Sequence, residues 1–437
     1  MMAQTKRFTM DRLRFFFSRI KERLWVKPLV LCVLSIGGTF IALLADNLGL
    51  STVVPEITLE SVESLLSIMA SSMLVIATFA VGSMVAAYAS ASAGATPRSI
   101  PLVIADDVTQ NALSAFIGAF IFSIVSLITV QNDLFDAAGR FAIFVLTLLV
   151  FAIVVITFVR WVDRIARLGR VVNTIEKAEK AAGDALDRRR HAPTLGAMKA
   201  SPQQVFGKGI PVCSSTVGYI QRIDLETLQA HAEALNCHVV VTALPGAFVS
   251  QCRPLLRIEG GYEGDFEQRS EEDESSNLDA FSSAFTIRSS RTFEDDPRFG
   301  VLALSEIADK ALSPGINDPG TAINVISTMV RLFTLWQSPV EKDTLQAVTY
   351  DRVSVPELVT DDLFDDAFTA IARDGANMVE VSIRLQKALW ALAETGDSAM
   401  AAAAKKHSRM ALARSERVMV IEDDIDAVRR EAAFSSA

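Results

Sequence analysis

Residues 64–97 read SLLSIMASSMLVIATFAVGSMVAAYASASAGATP and contain no Asp, Glu, Lys or Arg. Three further stretches without these residues cover 28–45, 108–132 and 141–159. A helix that crosses the hydrocarbon core of a bilayer needs about 20 apolar residues. The four stretches therefore predict an α-helical membrane domain of four transmembrane helices over residues 28–159. The second stretch is longer than one straight span requires, so we expect part of it to bend or to leave the membrane.

The overall composition excludes several classes of protein. Of the 437 residues, 50% are hydrophobic and 21% are charged, so the chain has too much apolar surface to remain disordered. Four cysteines cannot provide a disulfide framework for a chain of this length. The net charge of −9 argues against nucleic-acid binding as the main function.

Charged residues at the ends of the predicted spans indicate their orientation. The basic leader, residues 1–27, has eight Lys or Arg and two acidic residues, whereas the loop 46–63 has four acidic and no basic residues. Four arginines lie between 160 and 170, directly after the fourth span. Basic flanks remain on the cytoplasmic side, so we expect a multi-pass protein with both termini in the cytoplasm. A cleaved signal peptide within 1–45 is the alternative, although its charged leader would be unusually long.

Small residues recur every four positions along the second predicted span. They are Thr78, Gly82, Ala86, Ser90 and Gly94, and we call them the small-residue stripe. Small residues at this spacing allow close approach of helices in lipid. One interpretation is tight packing within a single four-helix subunit. The other places this helix at the axis of a homo-oligomer, where its hydroxyl groups would line a narrow pore.

The remaining sequence predicts a cytoplasmic α+β domain. An amphipathic stalk helix is expected over 160–192, because Trp161, Ile165, Leu168 and Val172 alternate spacings of four and three. Residues 205–258 predict a small barrel-like β segment with one helix, and 259–279 form an acidic linker with nine acidic residues and one arginine.

Residues 280–437 predict a mainly helical C-terminal part. The helices are expected at about 299–312, 320–337, 361–375, 378–394 and 398–433, and the segment 345–359 is expected to return to the barrel as a strand.

Two polar motifs could bind a ligand or could only cap helices. The first is RSSRTFEDDP, residues 288–297, and the second is SPGINDPGTA, residues 313–322. Each contains an Asp-Pro pair that is typical of a helix N-terminus, where Asp accepts backbone N–H groups and Pro lacks one. The functional interpretation has Arg291, Glu294, Asn317 and Asp318 converging on a small ion or polar ligand.

No catalytic motif is present in the sequence. Nucleotide loops, dinucleotide fingerprints, serine elbows and zinc-protease helices are all missing, so we expect neither an enzyme nor a cofactor. Cys213, Cys237 and Cys252 lie near histidines, but their spacing does not match a zinc site, and no metal is expected. His191 and His407 are expected at the surface.

The combination of these features resembles one known family. The motifs that carry the resemblance are the basic leader, the four spans with ATPR at 95–98, the Gly218-Tyr219 and Pro245-Gly246 pairs, and the two polar motifs. Together they are similar to a bacterial predicted-membrane-protein family of unknown function, over nearly the whole chain. The resemblance implies a bacterial inner-membrane location and no established activity.

These observations leave two hypotheses about function. The first is an oligomeric, channel-like conductance protein with a cytoplasmic regulatory domain. The second is a membrane-anchored sensor or scaffold module without transport activity. Since no ionisable residue lies within the four stretches, an ion-coupled carrier is disfavoured. The expected partners are the lipid bilayer and further copies of the chain, and not nucleic acid.

Overall fold

The computed structural model describes residues 57–104, 107–167, 170–207, 209–260, 278–395 and 397–435, together with ten scattered positions between 26 and 55. The chain divides into two compact units, Met1–Thr174 and Ile175–Ala437, which we call the N-terminal and C-terminal units. Almost all of the basic leader and most of the acidic linker lie outside the described residues.

The described part of the N-terminal unit is helical. Its helices are α1 (Leu59–Gly94), the short α2 (Ile100–Ile104), α3 (Asp107–Gln131) and α4 (Ala137–Ile165). Within the described ranges, three helices are long and apolar enough to cross a membrane: α1, α3 and α4. They correspond to the second, third and fourth predicted spans. The first predicted span, 28–45, lies mostly outside the described residues, so the total of four spans is not confirmed.

Helix α1 is longer than a bilayer is thick. Its 36 residues give a length of about 54 Å, against about 30 Å for the hydrocarbon core. Thr58 begins the helix by accepting a hydrogen bond from the Ser61 N–H. The expected excess length is therefore present as a single continuous helix.

One face of α1 packs against α3 and α4, and an aromatic cluster supports the packing at one level. Phe116 and Trp161 are almost completely buried, and their rings meet edge to face at 6.2 Å. Phe158 and Phe79 also contact the Trp161 ring, at 6.0 and 6.1 Å. Trp161 thus belongs to the core of the N-terminal unit.

The prediction of one continuous stalk helix over 160–192 is wrong. Helix α4 continues to Ile165, and a separate helix, α5 (Val171–His191), follows. Val172, assigned to the predicted seam, is 51% exposed. The alternating spacing from Trp161 to Val172 therefore does not mark one helix face. Trp161 packs in the aromatic cluster of α4, whereas Val172 lies on α5 and is exposed.

The C-terminal unit contains two β-sheets. The larger sheet has the strand order β1-β8-β4-β6-β2, and the smaller has the order β5-β3-β7. Their bounds are β1 Ala197–Lys199, β2 Ile210–Cys213, β3 Gly218–Ile223, β4 His238–Val241, β5 Phe248–Val249, β6 Pro254–Glu259, β7 Phe285–Arg288 and β8 Tyr350–Val355. Strand β4 lies at the centre of the larger sheet, and Val239, Val240 and Val241 are fully buried there.

A self-contained barrel over 205–258 is not confirmed, although most of its predicted strands are present. Strands β1, β7 and β8 come from outside this range and complete the two sheets. The expected return of 345–359 occurs as β8, which pairs in parallel with both β1 and β4. Helix α7 (Leu225–Ala234) packs on this sheet, and Asp224 caps it by accepting from the Thr227 N–H.

Helices form the rest of the C-terminal unit. They are the short α6 (Pro202–Val205), then α8 (Pro297–Leu312), α9 (Pro319–Gln337), α10 (Thr360–Asp374), α11 (Val379–Ala393), α12 (Ser398–Val418) and α13 (Glu422–Ala432). The predicted single helix over 398–433 is wrong, because the chain is extended at Met419 and Ile421 and separates α12 from α13. The fold is therefore mostly helical, with apolar helices in the N-terminal unit and an α+β C-terminal unit.

Candidate functional site

The small-residue stripe lies on the face of α1 opposite to its packing face. Thr78, Gly82, Ala86 and Ser90 are exposed among the described residues, and nothing lies within 4 Å of the place where a Cβ atom of Gly82 would be. The buried residues of α1 fall on the other side: Met69, Met73, Ala77, Ala80, Met84 and Ala87. Gly94 ends the helix. These four residues of the stripe therefore lie outside the packing of α1 on α3 and α4.

The first polar motif builds a buried ion pair at the start of α8. Arg291 donates from Nε and Nη2 to the two carboxylate oxygens of Asp296, at 2.6 and 3.0 Å. Asp296 is 1% exposed and also accepts from the Phe299 N–H, so the predicted cap is confirmed. Burial raises the pKa of Asp296, although its hydrogen bonds with Arg291 and Phe299 act in the opposite direction. The Arg291 guanidinium also lies 5.1 Å from the centre of the Phe299 ring.

The Pro245-Gly246 pair contacts this ion pair. Gly246 has φ of +90°, which favours glycine, and a Cβ atom at this position would overlap the Asp296 carboxylate. Two motifs that are 50 residues apart in the chain therefore form one compact structure.

Glu294 does not join Arg291 in a common polar site. Glu294 is exposed, and its backbone carbonyl accepts a hydrogen bond from the Arg188 guanidinium. The carboxylate that Arg291 binds belongs to Asp296, two positions further along the chain.

The second polar motif lies at the other end of α8. The Asp318 N–H donates to the Ala311 carbonyl at 2.8 Å, whereas Asp296 caps the first turn of the same helix. A helix of 16 residues is about 24 Å long. The expected convergence of Arg291 and Glu294 with Asn317 and Asp318 is therefore wrong, because α8 separates the two motifs.

Asn317 and Asp318 form the connection between α8 and α9. Asn317 has φ of +52°, and its N–H donates to the Ser313 carbonyl. Asp318 accepts from the Thr321 N–H and hydroxyl at 3.1 and 2.6 Å, which confirms the second predicted cap. These hydrogen bonds with Thr321 lower the pKa of Asp318.

A cavity of about 880 Å³ lies beside this connection and is lined partly by Ser313 and Asn317. Its charged wall is internally paired, since Arg373 binds Asp309 and Asp374 at 3.1 and 2.6 Å. Asp318 does not line the cavity. Of the predicted ligand residues, only Asn317 therefore borders this space.

Substitution of Asp318 by Ala is expected to cost about 1 kcal/mol of stability, the usual effect of losing an N-cap. The measurement is chemical denaturation of the purified protein at pH 7. Because the pKa of Asp318 is lowered in the folded state, its contribution is lost as pH falls through that pKa. An unchanged denaturation midpoint, or loss of function with full stability, would contradict a purely structural role.

His407 is buried, so its expected surface position is wrong. It is 2% exposed, its ring lies 5.7 Å from Phe364, and Nε2 is 3.2 Å from an Asp365 oxygen. Burial lowers the pKa of His407, and the opposing charges of Asp365 and Asp361 only partly offset this effect. The neighbouring residues in the sequence are polar, which predicted a surface position, but His407 lies on the inner face of α12.

We expect the protein to lose stability as pH falls through about 6.5, the pKa of an unfolded histidine. Stability falls in acid because the pKa of His407 is lower in the folded protein than in the unfolded chain, so the unfolded chain binds the additional proton. His407→Gln should reduce the dependence of the denaturation midpoint on pH between about 7.5 and 5.5. An identical slope in this variant and the wild type would show that other groups cause it.

Arg189 is a buried charged residue that the sequence did not single out. It lies in the run Arg188–Arg190 at the end of α5 and is 3% exposed. Such a run at a helix end usually remains in solvent. Arg189 is instead buried near Asp295 and Asp296 of the first polar motif, whose charges act on its guanidinium. Within the described ranges, no group of three His, Cys, Asp or Glu residues could hold a metal ion.

Comparison with known sequences identifies the family. The profile of the family described as "Predicted membrane protein (DUF2254)" matches residues 21–391. The chain belongs to this family. The match covers the described helices of the N-terminal unit and both polar motifs, which carried the resemblance noted from the sequence. The family is known as one of predicted membrane proteins, and its description gives no activity.

Individual relatives add no functional information. "Uncharacterized protein Rv1290c" of Mycobacterium tuberculosis and "Uncharacterized protein Mb1321c" of Mycobacterium bovis are each 27% identical over 132 residues. The aligned part is 29% of this chain and 23% of each relative, so the chain spans about a quarter of their length. No solved structure gives a significant match.

Proposed function

We propose that this protein is an oligomeric, channel-like protein of the bacterial inner membrane, in which α1 faces neighbouring copies through the small-residue stripe. The observation that carries the proposal is the position of the stripe. Its small residues lie on the exposed side of α1, interspersed with the exposed Val75 and Phe79, while Met73, Met84 and several alanines pack inward. Small side chains are costly to leave against lipid, since they provide few van der Waals contacts, and they favour close helix association.

The chemistry of the stripe is compatible with a narrow conducting path. Thr78 and Ser90 provide hydroxyl groups, although the Thr78 hydroxyl also donates to the Leu74 carbonyl within the helix. Channels can be lined by hydroxyl groups and apolar constrictions without any charged residue. The basic leader and the arginines after α4 support a multi-pass arrangement with both termini in the cytoplasm, where the C-terminal unit would act as a regulatory domain.

Cysteine cross-linking in native membranes tests the position of the stripe. Ala86→Cys is made in a background without the native cysteines, and Ala152→Cys, an exposed alanine on α4, is the matched control. We expect oxidation to produce a covalent dimer for Ala86→Cys and none for Ala152→Cys, because a disulfide requires Cα atoms within about 7 Å. Equal dimer formation in the two variants would contradict the proposal.

The first predicted span is the competing partner for the stripe. It contains Cys32, which can be retained together with Ala86→Cys. An intrachain disulfide between these two positions, without any dimer, would place that span over the stripe and remove α1 from the oligomer axis. The protein would then fit the second hypothesis, a membrane-anchored sensor or scaffold without transport activity.

A further inference from the structure

The three arginines at the end of α5 have different surroundings. Arg190 binds Asp187 at 2.6 Å and donates to the Ser338 carbonyl at 2.7 Å. Arg188 is exposed and donates to the Glu294 carbonyl. Arg189 lies between them and is 97% buried, since only 3% of its surface is exposed. The run thus turns one guanidinium into the interior of the C-terminal unit.

Arg189 is not fully satisfied by its neighbours. In the described chain its Nη1 atom is buried and has no hydrogen-bond partner. Burial lowers the pKa of Arg189 to about 10, and the charges of Asp295 and Asp296 reduce this effect. A buried donor of a charged group that lacks a hydrogen-bond partner is destabilising, so an acceptor at this position would be strongly favoured.

The nearby carboxylates do not supply this acceptor. Both oxygens of Asp296 already bind Arg291. Asp295 influences Arg189 through its charge, yet no hydrogen bond joins the two side chains within the described residues. Partial desolvation raises the pKa of Asp295, and the charges of Arg222 and Arg188 oppose that rise.

A cavity of about 420 Å³ adjoins Arg189. Its lining includes the basic Arg188 and Arg189 together with His191, and the acidic Asp187, Glu294 and Asp295. The volume is large enough for a small ligand but not for a folded partner. A cavity with a buried guanidinium in its wall is suited to a planar or tetrahedral oxyanion, which guanidinium groups bind through paired N–H donors.

We propose that this cavity binds a small oxyanion, a carboxylate or a phosphate group, with Arg189 as the buried anchor and Arg188 at the rim. The oxyanion accepts hydrogen bonds from the guanidinium of Arg189, whose Nη1 has no partner among the described residues. The Arg188 charge increases the local concentration of anions. Asp295 and Glu294 limit the site to ligands of low negative charge, because a highly charged anion would be repelled. The proposal does not depend on whether the protein conducts ions.

Calorimetric titration of the full-length protein in detergent tests this site. The probes are inorganic phosphate, acetate and a water-soluble short-chain phosphatidic acid, each compared with NaCl at the same ionic strength. We expect saturable binding of at least one oxyanion, weakened at least about tenfold in Arg189→Lys, because lysine cannot reproduce the fork of guanidinium donors. Arg384→Lys, at an exposed arginine of α11, is the matched control and should bind like the wild type.

The three probes distinguish the sources of the ligand. Binding of phosphate or acetate indicates a free metabolite anion, whereas binding of phosphatidic acid alone indicates a lipid headgroup. If Arg189→Lys does not fold, Arg188→Gln at the exposed rim decides, and it should weaken binding several-fold. Absence of saturable binding by all three probes in the wild type, or equal affinity in the wild type and the variant that folds, would overturn the proposal.

Discussion

Replacement of Arg291 by Met is expected to lower the free energy of unfolding of the C-terminal unit by about 3–5 kcal/mol. The variant leaves the Asp296 carboxylate, which is 1% exposed, without its two hydrogen bonds from the guanidinium. An uncompensated buried charge is far more costly than the net contribution of the intact pair. The raised pKa of Asp296 shows how costly its buried charge is. Burial disfavours the carboxylate form more than the hydrogen bond and charge of Arg291 favour it.

The effect should extend to the residues around the pair. Gly246 is in direct contact with the carboxylate, and the guanidinium lies beside the Phe299 ring. Chemical denaturation followed by the fluorescence of Trp336 and Trp390, both in the C-terminal unit, measures the change. The matched control is Arg373→Met, which breaks the more exposed pairs with Asp309 and Asp374 and should cost no more than about 1 kcal/mol. Equal losses in the two variants would show that burial of the Arg291–Asp296 pair has no special importance.

Substitution of Ala86 or Gly82 by Leu is expected to reduce ion flux through reconstituted liposomes at least about tenfold, since a bulky apolar side chain closes a narrow hydroxyl-lined path. Both residues lie on the exposed face of α1, where the proposed path runs between copies of the chain. At Gly82 no other atom lies within 4 Å of the place where a Cβ atom would be. Folding of the single chain should therefore be preserved while contact between copies is disturbed.

Flux of K⁺ and Cl⁻ from proteoliposomes provides the measurement. Ala152→Leu on α4 adds the same side chain at an exposed alanine away from the stripe and should leave the flux unchanged. Equal flux in Ala86→Leu, Gly82→Leu and the wild type would remove α1 from the conducting path. Absence of any flux in the wild type would favour the sensor or scaffold hypothesis.

Local signals in the sequence predicted much of the fold. Charge-free length located α1, α3 and α4, because burying a charge in lipid is costly over the whole span. The Asp-Pro pairs located the starts of α8 and α9, since capping depends only on residues within one turn. The one helix expected within 205–258 is present as α7, and Asp224 caps it.

Long-range packing determined what the sequence could not predict. Strands β1, β7 and β8 complete sheets that also contain the 205–258 segment, and no local pattern specifies such pairing. The arrangement of Gly246, Asp296 and Arg189 joins three distant segments, so the burial of Arg189 had no local sign. The failed convergence of the two polar motifs has the same origin, because residues close in sequence are held apart by the length of α8.

The mass of the detergent-solubilised particle tests the central proposal most directly, namely that the stripe on α1 joins copies of the chain. Light scattering can separate the mass of protein from that of bound detergent. We predict an integer multiple, two or more, of the 47.4 kDa chain, and a shift toward the single-chain mass in Ala86→Leu but not in Ala152→Leu. A wild-type particle of 47.4 kDa at all protein concentrations would contradict the proposal.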